Sequence, residues 1–450
     1  MKIRLVHSAL IPGFVLLLLA CVGVTKAESA NVNATPSLSL GTSYDSNIFN
    51  ASSNEESDYV FRAVPRLVIS LESPTTKAEL GGAIEAEKYA DHDELDKADA
   101  TKSVDFRLVR KGPRSTISPS ARYVETNDIN RGYLFTPSDN TLITAPVLPA
   151  ETLIAERVQT KQYSGRLQVS YLVSPKVTIG IGGAGLKTDY SENTSGYTDL
   201  KTWTGSGSIT YLISPKVTLG IGGAGLKTDY SENTSGYTDS KTWTGNGSVS
   251  YQFTPRFFGG LSFNTSHNTF EGRPDSHTYS GELTGRYNVT EKTTLNASAG
   301  ATFLRESTGV GDEKNDEWSP TGSLSIAYAE RDFRATLLGS YAVAGGGSFG
   351  RTTNIGALYL ALSDRFARWW SWNLSGSYLR TQSTGNQTVG TEDVDTAVGT
   401  AGIGYEIVSW ASVRLSGNIY RQQSATPLAA DLNRESVLLE LNLGKTFNLF

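Results

Sequence analysis

Polar and apolar residues alternate with a period of two along most of this chain. From Trp203 to Tyr211 the odd positions are Trp, Gly, Gly, Ile and Tyr, and the even positions are Thr204, Ser206, Ser208 and Thr210. Tyr279, Gly281, Leu283, Gly285 and Tyr287 stand opposite Ser280, Glu282, Thr284 and Arg286, and residues 163–171 repeat the arrangement. This is the signature of strands with one apolar face. The apolar faces are bounded by aromatics eight residues apart: Tyr163/Tyr171, Trp203/Tyr211, Trp243/Tyr251, Tyr279/Tyr287, Phe333/Tyr341 and Trp370/Tyr378. Eight residues rising ~3.3 Å each and tilted ~40° climb about 20 Å, close to the ~25 Å apolar band between the aromatic girdles of a transmembrane barrel. A soluble sandwich would show the alternation without the bracketing. A β-solenoid adhesin, the main structural rival, gives no reason for the bracketing either.

A tandem repeat defines the building unit. Residues 171–210 and 211–250 match at 34 of 40 positions. Each copy reads as a strand end, a tight Ser-Pro-Lys turn, a second strand, a polar loop (189–201 in the first copy) and a third strand, so one copy amounts to two strands. Pro175 and Pro215 suit the first central position of a type I or II turn. Weaker echoes follow at Thr254-Pro255-Arg256, Thr290-Glu291-Lys292, Glu330-Arg331-Asp332, Ser363-Asp364-Arg365 and Val408-Ser409, with Ser73-Pro74 and Gly112-Pro113 upstream. Nine short turns alternating with about ten longer loops predict an all-β chain. The expected fold is a single large antiparallel transmembrane β-barrel of about 20 strands (18–20), with short periplasmic turns and longer extracellular loops. The predicted organisation is a signal peptide at 1–27, a short N-terminal segment at 28–36 and a barrel over 37–450. The barrel contains the tandem hairpins at 171–250 and one long loop at 126–161. Pro149-Ala150-Glu151 and the residues after it resemble a short helix start, and an inward constriction or external lid is expected there.

Composition sharpens this picture. The chain has 450 residues with 45 Gly, 21 Tyr, 7 Trp and only 38% hydrophobic residues. The 10% aromatic content argues against disorder, and a net charge of −5 shows no basic footprint for nucleic acid. Lys2 and Arg4 precede an apolar run over Leu10–Val24 and small residues at Thr25 and Ala27, the pattern of an export signal too short to span a membrane. Leu18-Leu19-Ala20-Cys21 offers an alternative processing site at which Cys21 would carry lipid. Cleavage after Ala27 removes three positive charges and the only Cys, leaving 37 − 45 = −8. The expected location is the cell outer membrane, with strands as the means of crossing.

Residues 41–49, Gly-Thr-Ser-Tyr-Asp-Ser-Asn-Ile-Phe, resemble the first-strand signature of an outer-membrane β-barrel porin family, the exopolysaccharide-associated barrels of Gram-negative bacteria. Tyr44, Asp45, Asn47 and Ile48 carry the likeness. The resemblance implies an outer-membrane barrel over residues 36–450, contact with membrane lipid and lipopolysaccharide, and dealings with polysaccharide and periplasmic export proteins. A terminal Phe450 implies recognition by the barrel-assembly machinery. Val437, Leu439, Leu441 and Leu443 form the last apolar face, and Phe450 has the opposite parity unless a bulge near Gly444-Lys445 restores it.

The polar parity supplies the candidate pore-lining residues: Arg62, Arg66, Glu79, Glu85, Glu87, Asp105, Arg107, Arg122, Arg166, Glu282, Arg286, Arg334 and Arg414. Both signs occur, which predicts a hydrated passage without strong preference for one ion; wall-stiffening ion pairs are the plainer reading. Trp369 and Tyr420 are candidates to face inward and stack on sugar rings. His92, His267 and His277 lie in or beside polar loops without metal-ligand spacing, and Gly220–Gly225 reads as close packing on a barrel wall. No catalytic site, cofactor or metal is expected, and the chain is read as no enzyme. The leading function is an outer-membrane channel passing polar solutes or exopolysaccharide. A general diffusion porin and a surface structural or adhesive barrel acting through its loops are the alternatives.

Overall fold

The structure, a computed structural model, describes residues 30–127, 158–191, 198–231, 238–307, 314–344, 353–383, 393–425 and 431–449. The wall begins with β1 (Asn31–Asp45), β2 (Asp58–Glu72), β3 (Thr76–Tyr89), β4 (Lys97–Lys111) and β5 (Ser115–Thr126). It continues with β6 (Thr160–Ser174), β7 (Val177–Tyr190), β8 (Leu200–Ser214), β9 (Val217–Tyr230) and β10 (Ser240–Thr254). Next come β11 (Phe257–Phe270), β12 (Arg273–Asn288), β13 (Thr293–Ser307), β14 (Lys314–Glu330) and β15 (Phe333–Ala344). The last five are β16 (Thr353–Ala367), β17 (Trp370–Ser383), β18 (Asp393–Val408), β19 (Ala411–Ser424) and β20 (Leu432–Gly444). Each strand pairs antiparallel with the next, and β1 pairs with β20, so the sheet closes into a ring. The one described helical element is a 3-10 turn at Asp93–Leu95.

Closure gives the two parities different surroundings. Trp203, Trp243, Leu283 and Trp318 are 61–71% exposed, whereas Asp45 and Arg434 on the other parity are 0% and 1% exposed. Only the inside of a ring can enclose polar side chains this completely, so the apolar parity faces outward. Of the bracketing aromatics, Tyr163, Tyr171, Trp203, Tyr211, Trp243, Tyr251, Tyr279, Tyr287, Tyr341, Trp370 and Tyr378 are all exposed on that outer face.

Glycine lets two of these rings lie against the wall. Trp203 pairs with Gly185 and Trp243 with Gly225. A Cβ at Gly185 or Gly225 would stand 2.8 or 2.7 Å from the indole, so each ring occupies the space that a side chain would have taken. Gly222, in the Gly-rich run 220–225, likewise leaves its inner side to Asn246, 2.7 Å from a Cβ there. The run is wall packing.

The structure departs from the sequence reading in four places. β1 starts at Asn31, so residues 31–36 belong to the wall instead of to an N-terminal segment. The turn after β16 is Arg368-Trp369; Ser363–Arg365 lies within the strand, and the ladder shifts between Asp364 and Ala367. The loop-side connection from β11 to β12 is only Glu271-Gly272, with Gly272 at φ 72, so it is a tight turn among the longer loops. At the chain end no bulge is present. Ser37 pairs with Gly444, and in the same register Ala34 pairs with Phe447 at the start of a short further segment, β21 (Phe447–Asn448). The ladder breaks between them opposite Pro36, which has no N–H to donate. Phe447 and Leu449 therefore stay outward and exposed. Phe450, the signal peptide at 1–27 with its lipobox, and the helix start at Pro149 and after lie outside the described residues.

The two repeat copies form β7–β8 and β9–β10, with strands of 14 and 15 residues in each pair. Deleting residues 211–250 removes one hairpin and keeps the up-down order. An 18-stranded ring that retains heat-modifiable mobility in semi-native electrophoresis is expected, whereas deletion of β9 alone leaves an unpaired edge and abolishes the folded band. A folded band for the single-strand deletion and none for the 40-residue deletion contradicts the two-strand unit.

Candidate functional site: the seam and the inner wall

The stretch Tyr44-Asp45-Ser46-Asn47-Ile48 sits where β1 leaves the wall beside β20. Asp45 ends β1 on the inner face and receives a two-pronged contact from Arg434 of β20. Nε donates to Oδ1 at 3.0 Å and Nη2 to Oδ2 at 2.6 Å. Arg434 Nη1 also donates to Asn50 Oδ1 at 2.6 Å. Backbone exchange continues the pairing beyond the strand: Ser46 N donates to Glu435 O at 2.9 Å, and Glu435 N donates to Ser46 Oγ at 2.8 Å. Asn47 uses both ends of its amide. Nδ2 donates to Ala51 O and Asn433 O at 2.8 and 3.0 Å, and Oδ1 accepts from Ala51 N at 2.8 Å. The turn it forms requires the left-handed backbone at Asn50, φ 56, a conformation that Asn tolerates better than most residues.

Ile48 then packs with Val60 and Tyr89, all nearly or fully buried, with Phe49 and Leu95 against them. The loop 46–57 thus folds over the inner wall at its mouth. Beneath it, Arg62 Nε lies 3.6 Å from both Glu85 and Glu87, and the Tyr89 hydroxyl donates to Glu87 at 3.1 Å. His92, in the connection after β3, ties two loops together: Nδ1 meets Asp58 Oδ2 at 3.0 Å and Nε2 meets Glu56 Oε2 at 2.9 Å. Its ring stands edge-on to Phe49 at 5.5 Å. The hydrogen bonds to Asp58 and Glu56 hold the imidazolium above the usual histidine range.

The thirteen polar-parity residues all take inner-face registers. Arg62, Arg66, Glu79, Glu85, Glu87, Asp105 and Arg107 share the inner side of β2–β4, joined by Arg122 on β5 and Arg166 on β6. Arg66 lies 3.8 Å from Asp105, and Arg107 is the register partner of Glu79. Glu282 and Arg286 stand on β12, Arg334 on β15 and Arg414 on β19. Thr321 Oγ1 donates to Glu282 at 3.4 Å, and Arg414 donates to Asn373 at 2.9 Å. The ring therefore gathers nine of these charges on β2–β6 and spreads four over β12–β19. The sequence reading missed Asp45 and Arg434 as partners; extending the β20 parity from Val437 back to Arg434 would have placed Arg434 inside.

Three aromatic or histidine expectations are relocated. Tyr420 is inward but buried among Leu432 and Val398, with its hydroxyl donating to Gln422 at 3.0 Å. Trp369 lies in the short turn under the Arg368 guanidinium, 4.7 Å from its ring. His267 and His277 are strand residues, direct register partners stacked at 4.0 Å on the outer parity, and not loop residues. Farther along the outer face at the loop end, Lys161, Lys187, Lys201, Lys227 and Lys241 occupy five consecutive strands. Among the described residues no group of three or more His, Cys, Asp or Glu is arranged to hold a metal.

No family model matches the chain, and no curated protein matches it. Among solved structures, the chain is similar to a point mutant of the ferric enterobactin receptor from Pseudomonas aeruginosa. The identity is 12% and the TM-score 0.50, over 92% of this chain and 80% of that one. A second point mutant of that receptor, in complex with enterobactin, matches at 11% identity and TM-score 0.50, over 92% and 81%. At such identity the likeness is one of fold, a large closed β-barrel.

Two outcomes test the seam. Arg434→Ala leaves the Asp45 carboxylate enclosed without its charge partner and is expected to destabilise the folded barrel by about 3–5 kcal/mol in denaturant unfolding from detergent micelles. Asp45→Ala/Arg434→Ala is expected to cost less than the two single changes together; simple additivity contradicts the coupling. For His92 the folded-state value lies above the unfolded one. Its contribution to loop docking is therefore complete below the ordinary histidine range and fades as pH rises through the raised value. Protection of the Ile48 amide, which donates to Glu56 O, is expected to exceed that in His92→Gln at about pH 5.5 and to converge with it by about pH 8.5. Equal protection of the two proteins at both pH values contradicts the tie.

Proposed function

We propose that this chain is an outer-membrane channel for polar solutes. One observation carries the reading: a closed ring whose outer face is apolar and aromatic-bracketed, while its inner face is polar. Lipid accepts the first face and water the second. A ring of twenty strands is wider than the 16–18-stranded porins that hold an aqueous passage, and Ser206, Ser208 and Thr210 on the inner wall are exposed to solvent. The longer connections then face outward from the cell and the short turns face the periplasm. The loop-end lysines sit beyond the belt that includes Trp203 and Trp243, the level at which anionic headgroups of outer-leaflet lipid, lipopolysaccharide included, would meet them. Lys187 and Lys227 share some of that charge with Asp189 and Asp229, at 2.5 and 2.8 Å.

Exopolysaccharide passage is the more specific form of this reading. It is supported by the resemblance at residues 41–49, and it brings with it the polysaccharide, the periplasmic export partners and the barrel-assembly machinery named above. Ferric enterobactin is the ligand named for the receptors with the similar fold. Large transporters of the 22-stranded type carry a plug in the lumen, and the described residues here form wall strands, connections and one 3-10 turn.

Reconstitution of the refolded chain in planar bilayers is expected to give discrete conductance steps that scale with salt concentration. Deletion of residues 211–250 narrows the ring from twenty to eighteen strands and is expected to lower the step size by about a fifth, as cross-section follows the square of strand number. A folded barrel that never conducts contradicts the channel and favours a surface role through the loops.

A further inference from the structure

The inner charges are sorted by strand, and the sorting points to a ligand class. On the inner parity of the seven strands β5–β11 the only charged residues are Arg122 and Arg166. The rest of that wall is mostly Ser, Thr, Gly, Asn and Gln. Arg122 pairs with Ser164 and Arg166 with Ser120, which makes the two arginines diagonal neighbours on adjacent strands, roughly 7–8 Å apart. Both are exposed to the lumen. Neither has a carboxylate within ion-pair distance among the described residues. Arg122 stands across from Asp105, but that carboxylate leans 3.8 Å from Arg66. Arg107 is level with Arg166 through Ser120 and faces Glu79 on its other side. At the level of Asp105, Arg107 and Ser120, the inner face of β4–β6 thus holds three guanidiniums against one carboxylate.

We infer that Arg122 and Arg166 form a lumenal subsite for carboxylate groups on a hydroxyl-rich solute, with an acidic oligosaccharide as the fitting class. This rests on the channel reading above. Neighbouring like charges oppose each other unless an anion lies between them. A guanidinium offers two parallel N–H groups to one carboxylate, a match that a lysine could not make. The uncharged wall beside them, with Thr204, Ser206, Asn246 and Ser248 turned inward, exchanges hydrogen bonds with sugar hydroxyls without holding them through apolar contact. The passage is therefore biased toward anions along this side, where a count of lumenal charges without their strand positions shows only a mixture of signs.

The test uses the full refolded chain and Arg122→Gln/Arg166→Gln, both first shown to have the same heat-modifiable mobility. Equilibrium binding of a fluorescent oligogalacturonate to the barrel in detergent needs no open pore. Wild type is expected to bind it about tenfold more tightly than a neutral maltooligosaccharide of equal length, and the double variant to lose that difference. In bilayers, oligogalacturonate is expected to block wild type at a correspondingly lower concentration than it blocks the double variant. Binding that ignores the uronate charge, or that survives the double change, overturns the subsite whether or not the barrel conducts. Block by chloride or inorganic phosphate equal to that by oligogalacturonate overturns the oligosaccharide class. Absence of conductance with charge-dependent binding intact overturns the channel reading and leaves the subsite standing.

Discussion

Every structural feature of this chain depends on satisfying the backbone hydrogen bonds of a sheet that has no free edge. In lipid an unpaired N–H or C=O costs several kcal/mol, and a ring of strands meets the requirement only if its first and last members join. Here the joint is β1 against β20. The ladder runs from Asp45–Ser436 to Ser37–Gly444 and is interrupted only where Pro36 offers no donor, before Ala34 and Phe447 resume it. Cross-strand contacts reinforce the lower part, with Thr35 and Thr446 hydroxyls 2.9 Å apart and the Ser39 hydroxyl bonded to Asn442. At the upper end the Asp45–Arg434 pair and the double use of the Asn47 amide lock the two ends of the chain together.

The same constraint explains the composition. An even-numbered wall needs one apolar side per strand, so a modest hydrophobic content suffices for a long chain. Glycine is spent where a neighbouring ring or amide must lie flat against the wall, as at Gly185 under Trp203 and Gly222 beside Asn246. The tandem hairpins extend this logic, because a whole two-strand unit can be added without disturbing the alternation of short turns and longer loops. What the ring encloses is then set by the inner parity alone. β2–β6 supply a dense charged sector there, and β7–β11 supply a neutral hydroxyl and amide sector.

Strand faces, the number of strands and the repeat unit were legible because each depends on neighbours in sequence: period-two alternation, Pro-led turns and aromatics eight residues apart. The turn after β16 was misplaced because Ser363-Asp364-Arg365 has turn-like chemistry, yet the ladder absorbs it as an irregularity and turns at Arg368-Trp369. The β11–β12 turn was missed because His267 and His277 look like loop residues, whereas Gly272 supplies the left-handed backbone needed for a tight reversal. The motif at Tyr44–Ile48 was visible as a resemblance, but its physical role was not. Asp45 and Arg434 are separated by 389 positions, and only closure of the ring brings them together. The inner charges were identified by parity, and their segregation into sectors emerged only when the registers placed each strand beside its neighbours.

Closure at the β1–β20 seam is the central claim, and a cross-link tests it most directly. Ser43 and Leu438 are register partners on the inner face. Direct partners across an antiparallel pair stand about 4.5–5.5 Å apart at Cα, within the range that a disulfide spans. With Cys21 replaced by Ser, the Ser43→Cys/Leu438→Cys protein, folded in bilayers and mildly oxidised, is predicted to form an internal disulfide in high yield. Ser43→Cys/Ser436→Cys, displaced by two residues, is predicted to form much less. Failure of the first pair to cross-link, or preference for the displaced pair, would contradict the closed register on which the account depends.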